Sequence, residues 1–368
     1  MKSFFKKAFS FDRLVGLGML LALLALARLD PYPVKFMREK SFDIYQQIKP
    51  RPASNPEDRL AVIIDIDEHS MREIGQWPWS RKTIAKLVVN LHNMGVAVTA
   101  FDMVFAEPDR LNPAGVVDSL TGIDAELREK ILKMESNDAV LGRIVSQANV
   151  VLGQAGYWDQ LPNNAGKPFY KSVAVRKMAK GTPEPTAFLN NIPTLIRNLT
   201  VLEKGAKGVG MFSLNPSIDG IIREVPLVSK HDGNLYPALS VEAIRVGFAV
   251  STLMAEVDPF GIKGIGIVPK SKVKPKGLKI PTTEIGSVRP YFAPHNKDLY
   301  VSAADVLNGT ADKSKIAGKI AFVGTSAVGL LDIRSTPLDP LIPGVEVHAQ
   351  IIENALVIDR ALDRKSVV

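Results

Sequence analysis

The apolar residues of this chain form one long unbroken run near the start. After it, short β-branched runs alternate with stretches spaced at helical period. The run at 60–66 (LAVIIDI) has the composition of a strand covered on both faces. Positions 80–94 place Ile84, Leu87, Val88 and Leu91 on one helical face, with Gly95 as the stop. A second buried strand is predicted at 96–101 and a third at 149–152. Between them lies a helical stretch at 124–147 that carries Leu127, Ile131, Leu132, Val140, Leu141 and Ile144. Strand, helix, strand, helix, strand requires crossover connections, and these are right-handed and build a parallel sheet.

Farther on, 208–214 and 220–228, with a turn at His231-Asp-Gly-Asn234, predict antiparallel strands leading into a helix at 237–248. Strands at 265–268 and 278–280 flank a lysine-rich loop, a short helix spans 302–307, and 318–323 (GKIAFV) is another buried strand. The last element, 345–362, is an amphipathic helix with Val345, Ile352, Ala355, Leu356 and Leu362 on one face. The expected class is α/β: a mixed, largely parallel sheet flanked by helices, with no internal repeat.

The long run, Leu14 to Leu29, is preceded by Lys2, Lys6, Lys7 and Arg13. It reads as a transmembrane helix at 14–30 after a cytoplasmic N-terminus at 1–13. Arg28 snorkels, and Phe11 and Tyr32 sit at the interface. A cleavable signal peptide is the rival, because Ala25-Leu26-Ala27 fits a small-residue cleavage site. Lys35, Arg38 and Lys40 follow closely, so the positive-inside count does not fix the orientation. Either reading exports the rest of the chain: a proline-rich connector at 31–58, a domain at 59–363, and a membrane-proximal remnant at 364–368.

Composition narrows the classes. With 46% apolar residues in 368, the chain can bury a full core, which excludes disorder. The absence of cysteine excludes disulfides, thiolate metal sites and a cysteine nucleophile. The net charge of +8 is scattered along the chain, so nucleic acid is not an expected partner. The five histidines (His69, His92, His231, His295, His348) show no metal-binding spacing, and no cofactor or metal is expected. His348 reads as a core or interface histidine.

In an open parallel sheet, ligands collect beyond the carboxyl ends of the strands. Those ends carry Asp65, Asp67 and Glu68, then Asp102, Glu107 and Asp109, then the Gly324–Gly329 loop with Thr325 and Ser326, and finally Asp332. As ligand-binding candidates we take Asp65, Asp67, Asp102, Glu107, Thr325, Ser326 and Asp332; no catalytic residue is assigned. The competing reading is that the acids cap helices and close turns and that the glycine loop is a structural turn. Trp77-Pro-Trp79 reads as a packing plug before a helix capped by Ser80.

Several ordered motifs resemble the CHASE2 family, the extracytoplasmic sensory domains of bacterial transmembrane receptors. They are Ile64-Asp-Ile-Asp-Glu-His-Ser70, Gly75-Gln-Trp-Pro-Trp-Ser-Arg81 and Phe101-Asp-Met-Val-Phe-Ala-Glu-Pro-Asp109. After these come Asp219-Gly-Ile-Ile-Arg-Glu-Val-Pro-Leu227, Gly324-Thr-Ser-Ala327, Thr336-Pro-Leu338 and Pro343-Gly-Val-Glu-Val-His-Ala349. The resemblance implies an N-terminal membrane helix, an exported α/β sensor, further membrane helices and a cytoplasmic output domain. That output is usually a class III adenylate or guanylate cyclase, sometimes a kinase. The sequence stops at Val368 without an output domain, so the expectation is a truncated receptor or an excised sensor, not itself an enzyme. It would sit in the inner membrane with its main domain periplasmic and act as a homodimer. Its stimulus, a small molecule or a protein, is not supplied by the resemblance. Two other readings stand beside it: an exported hydrolase using paired carboxylates or a metal, and a structural or protein-interaction domain.

Overall fold

Strand Ala61–Ile66 is buried at every position, and its side chains alternate between two cores. Ala61 and Ile63 join Val98, Ala100, Val151 and Phe322 in one, while Val62, Ile64 and Ile66 join Phe101, Val150, Leu152 and Val323 in the other. A strand covered on both faces needs helices on both sides, and that layering organises the molecule. The computed structural model describes residues 11–159, 173–267, 277–330 and 332–365, with side chains except at 12, 14 and 356–365.

The chain divides into two units, Met1–Pro50 and Arg51–Val368. In the first, helix Phe11–Leu29 is followed by helix Tyr32–Ile48. Met19, Leu20, Leu21, Leu23 and Leu24 are all exposed, so the first helix is apolar around its circumference. Among the described residues no single helix is long and apolar enough to cross a membrane. The pair Val15–Leu29 and Tyr32–Ile48, bent by 75°, passes that test together.

In the second unit the main sheet runs, from one edge, Tyr300–Ser302, Ala61–Ile66, Ile320–Thr325, Val98–Phe101, Val150–Tyr157, Gly208–Met211. Every adjacent pair among these is parallel. Thr194–Ile196 adds an antiparallel strand to the far end of Val150–Tyr157. One face carries helices Arg81–Asn93 and Asn137–Gln147 and the short Ala303–Asn308. Ile84, Leu87, Val88 and Leu91 are buried as their spacing requires, and Ser80 caps the first of these helices by accepting from the Thr83 amide at 3.2 Å. Trp79 packs into this core at 5% exposure, its indole donating to the Gly75 carbonyl at 2.8 Å, so the WPW segment is a plug; the Trp77–Pro78 bond is cis.

The other face carries helices Leu239–Gly247 and Gly344–Lys365, which share a core with a smaller sheet ordered Leu278–Pro281, Gly261–Ile267, Leu253–Asp258, Val173–Lys177.

Several expectations are corrected. The 208–214 segment is not antiparallel: Gly208–Met211 lies parallel to Val150–Tyr157, the fourth strand of the same crossover series. The 124–147 stretch is two helices, Ala125–Leu132 and Asn137–Gln147, because Ser136 starts a new cap. Leu127 and Leu132 on the first are exposed, not core. The hairpin is real: Val228–His231 pairs with Asn234–Pro237 through Asp232 and Gly233, both at positive φ as a primed turn demands. Val268, most of the lysine-rich loop, and the side chains of Leu356 and Leu362 lie outside the described residues.

Candidate functional site

The carboxyl edge of the main sheet is where the predicted residues fall, and the final helix begins there. Val345 stands against Gly324 so closely that a Cβ on that glycine would lie 2.6 Å from the Val345 Cβ. Eight residues on, Glu353 accepts from the Leu60 amide at 3.0 Å, at the opposite edge of the sheet. The final helix therefore runs antiparallel to the strands, from the candidate site to the amino edge.

Asp102 follows strand Val98–Phe101 and continues its alternation, so its side chain turns to the same face as Val98 and Ala100, toward the final helix. Its side chain is 6% exposed, and its carboxyl makes no hydrogen bond among the described residues. Its Oδ1 lies 3.8 Å from His348 Nε2. Burial, with Asp332 adding and Arg334 opposing, pushes the Asp102 carboxyl up to about 8. His348 is 1% exposed and stacked on Phe322 at 6.0 Å. Its Nε2 donates to the Phe212 carbonyl at 3.2 Å, leaving Nδ1 buried without a partner. Burial pushes this imidazole down to about 4, against the pull of the Phe212 carbonyl and with help from Arg334. At neutral pH the two side chains therefore face each other uncharged, a protonated carboxyl and a neutral imidazole. Asp332 and Arg334 form an ion pair of 2.5 Å beside them, and the Arg334 Nε is itself buried and unpartnered.

A second group surrounds Asp65 near the end of strand Ala61–Ile66, on the far side of the intervening strand Ile320–Thr325. Ser326 donates to its Oδ2 at 2.6 Å, while its Oδ1 is buried without a partner. Burial pushes Asp65 up to about 6; the Ser326 hydroxyl opposes this, and Asp67 and Glu68 add to it.

The remaining candidates have structural duties. Asp67 caps helix Glu68–Ile74 by accepting from the Ser70 amide at 2.8 Å, and it also accepts from the Ser302 hydroxyl at 2.9 Å. The Thr325 hydroxyl donates to the Leu330 carbonyl at 3.2 Å. The Gly324–Gly329 loop offers no anion cradle: the Ser326 and Ala327 amides point at the Ile66 carbonyl, and the Val328 amide donates to Glu68 at 2.8 Å. The Glu107 side chain is exposed and stands apart, while its carbonyl accepts from Arg81 at 3.0 Å. Asp109 accepts from the Arg81 amide and from the Asn137 amide group.

Sequence reasoning assigned no site role to His348, or to the buried group beside it on the same helix. Glu346, 0% exposed, accepts from the Tyr300 hydroxyl at 2.6 Å, and its Oε2 lies 2.6 Å from His295 Nδ1. Burial beside this carboxylate pushes the Tyr300 hydroxyl upward. One signal was legible: Glu346, Gln350 and Glu353 recur at helical spacing among the mostly apolar positions 344–353, the mark of a buried polar stripe. Among the described residues no three His, Asp or Glu side chains gather as a metal-holding group.

No curated protein matches the chain, and no solved structure does. A family model, the CHASE2 domain, matches residues 18–367. That match spans nearly the whole chain, on a sheet whose carboxyl edge holds the motifs named above; the protein belongs to the CHASE2 family of extracytoplasmic sensory domains.

Proposed function

We propose that this chain is the stimulus-binding part of a bacterial membrane receptor. The N-terminal helix pair, Phe11–Leu29 and Tyr32–Ile48, anchors it, and the periplasmic domain takes a small polar stimulus at the carboxyl edge of the sheet. The final helix carries the change toward the membrane and a cytoplasmic adenylate or guanylate cyclase. The chain works as a homodimer, so that two final helices move against each other.

The observation that carries this reading is the Asp102–His348 pair. Two polar side chains, neither charged at neutral pH, meet at the first turns of the helix that leads away: the Asp102 carboxyl makes no hydrogen bond among the described residues, and the buried His348 Nδ1 has no partner. An unsatisfied buried polar group costs about 1–3 kcal/mol, and a ligand that pairs with His348 Nδ1 is favoured by that margin. A stimulus that binds one helix position better than another shifts the balance between them. The anchor is supported by a helix that exposes apolar side chains on every side.

Native mass spectrometry of the full chain released from bacterial membranes tests the proposal. A bound small molecule on the wild type, absent from Asp102→Asn at equal folded content, is the expected result. The same ligand load on both proteins, or no ligand on either, would overturn the assignment of the site.

A further inference from the structure

The amino edge of the main sheet, opposite the Asp102 site, holds a cavity of about 150 Å³. It is walled by Ile320 and Leu60 of the sheet edge, Ile244 of helix Leu239–Gly247, Leu278 of the smaller sheet and Ile352 of the final helix, with Phe248 alongside. Ile244, Ile320, Leu278 and Ile352 are each less than a tenth exposed, whereas Phe248 is 41% exposed and stands toward the mouth. The remaining walls are Ala97, Gly247 and Gly318, so no lining residue has a polar side chain.

We propose that this cavity is a binding site for a small uncharged apolar molecule of about the size of benzene. Water is poorly held there, because a buried water needs two to four hydrogen-bond partners and these walls are hydrocarbon. An enclosed apolar cavity of about this volume takes up benzene or xenon; this one is open at the Phe248 mouth, which gives such a molecule its way in. A polar or charged occupant would lose its hydration without replacement, which the walls select against. An occupant touches Ile352 and so meets the final helix one turn before its described side chains end. It would therefore bias that helix from the amino edge of the sheet, independently of whatever binds at Asp102.

The test uses the full chain in lipid nanodiscs, with isotope-labelled isoleucine δ1 methyls and fluorobenzene as the probe. Saturable shifts of the Ile244, Ile320 and Ile352 methyls are expected, without matching shifts of Ile63 or Ile64 in the sheet interior. Ala97→Leu fills the cavity and should weaken binding by at least about tenfold, the effect of a methylene or more in an apolar pocket. Ile352→Val enlarges the cavity and leaves a readout if Ala97→Leu folds poorly; it should keep binding and change the Ile320 shift. Shifts that rise linearly without saturating, or that are equal in the wild type and a folded Ala97→Leu, overturn the proposal. So does the absence of any shift in both the wild type and Ile352→Val.

Discussion

Replacing Asp102 with Asn should make the protein more stable above neutral pH and remove a slope in its stability curve. The folded-state carboxyl titrates near 8 and its unfolded counterpart near 3.8. Between those values the folded chain keeps a proton that the unfolded chain has released, so stability falls as pH rises. The slope is about 1.4 kcal/mol per pH unit for one group. His348 acts in the opposite sense: with a folded value near 4 and an unfolded value near 6.5, it makes stability rise from pH 4 to 6.5. Asp65, raised to about 6, adds a falling slope below that pH. The contributions of Asp102 and His348 therefore cancel below 6.5, and the window from 6.5 to 8 belongs to Asp102. The groups facing it there are His348, Asp332 and Arg334. Across that window the wild type should lose about 2 kcal/mol relative to Asp102→Asn. With a urea slope of about 3 kcal/mol per molar, the difference is a midpoint shift of about 0.7 M. Urea titrations of the two proteins at pH 6.5 and 8, followed by tryptophan fluorescence, measure it directly. If the two midpoints move in parallel between those pH values, Asp102 is not the buried protonated acid described above.

Two further outcomes follow from the packing. Gly153→Ala would place a methyl 2.8 Å from the Met103 carbonyl and 2.7 Å from the Phe212 ring, and closer still to the Phe101 carbonyl. A loss of about 1–3 kcal/mol or more is expected in urea unfolding, and an unchanged midpoint would show that the strand ends are loosely held. Glu346→Leu strips the acceptor from Tyr300 and from the Gln350 amide, for a loss of about 3 kcal/mol, whereas Glu346→Gln retains an acceptor and should lose less than half of that. Equal losses in the two variants would mean that the carboxylate charge, not hydrogen bonding, holds the helix start.

The buried strands were legible because β-branched runs such as 61–66 admit few other structures, and the caps at Ser80 and the Asp232–Gly233 turn were legible because their chemistry is local. What periodicity did not reveal was pairing direction and neighbourhood. The Gly208–Met211 segment is short, and only its partner makes it parallel. The break after Leu132 depends on Ser136 accepting from the Ala139 amide, a cap hidden within a continuous helical pattern. The site divided in the same way. The rule of strand ends picked out Asp65 and Asp102, whose carboxyls burial pushes upward, but it also collected Asp67, which is a helix cap, and Glu107, which is exposed. His348 was assigned to the core because its partners, Asp102 and Phe212, are remote in sequence. They become neighbours only once Ile320–Thr325 has inserted between Ala61–Ile66 and Val98–Phe101.

That insertion also limits how the final helix can move. It begins beside Gly324 at the carboxyl edge, where Glu346 and His348 are buried, and crosses the sheet to Glu353, which accepts from the Leu60 amide. The seven residues from Glu346 to Glu353 span about 10 Å of rigid helix. A slide by one full turn would strip the Glu346 and Glu353 contacts together, and each buried group left unpaired costs about 1–3 kcal/mol. Small axial or rotational shifts that keep those bonds are therefore the accessible motions. They favour a mechanism in which a modest displacement at His348 emerges at the amino edge, alongside Ile352 and the start of strand Ala61–Ile66. Chain segments on both sides of the domain leave from that edge: residues 51–60 lead into the first strand, and the final helix continues past Glu353. Under the proposed receptor function, a displacement delivered there would reach both segments at once, which is the coupling between distinct sites that a two-state receptor needs.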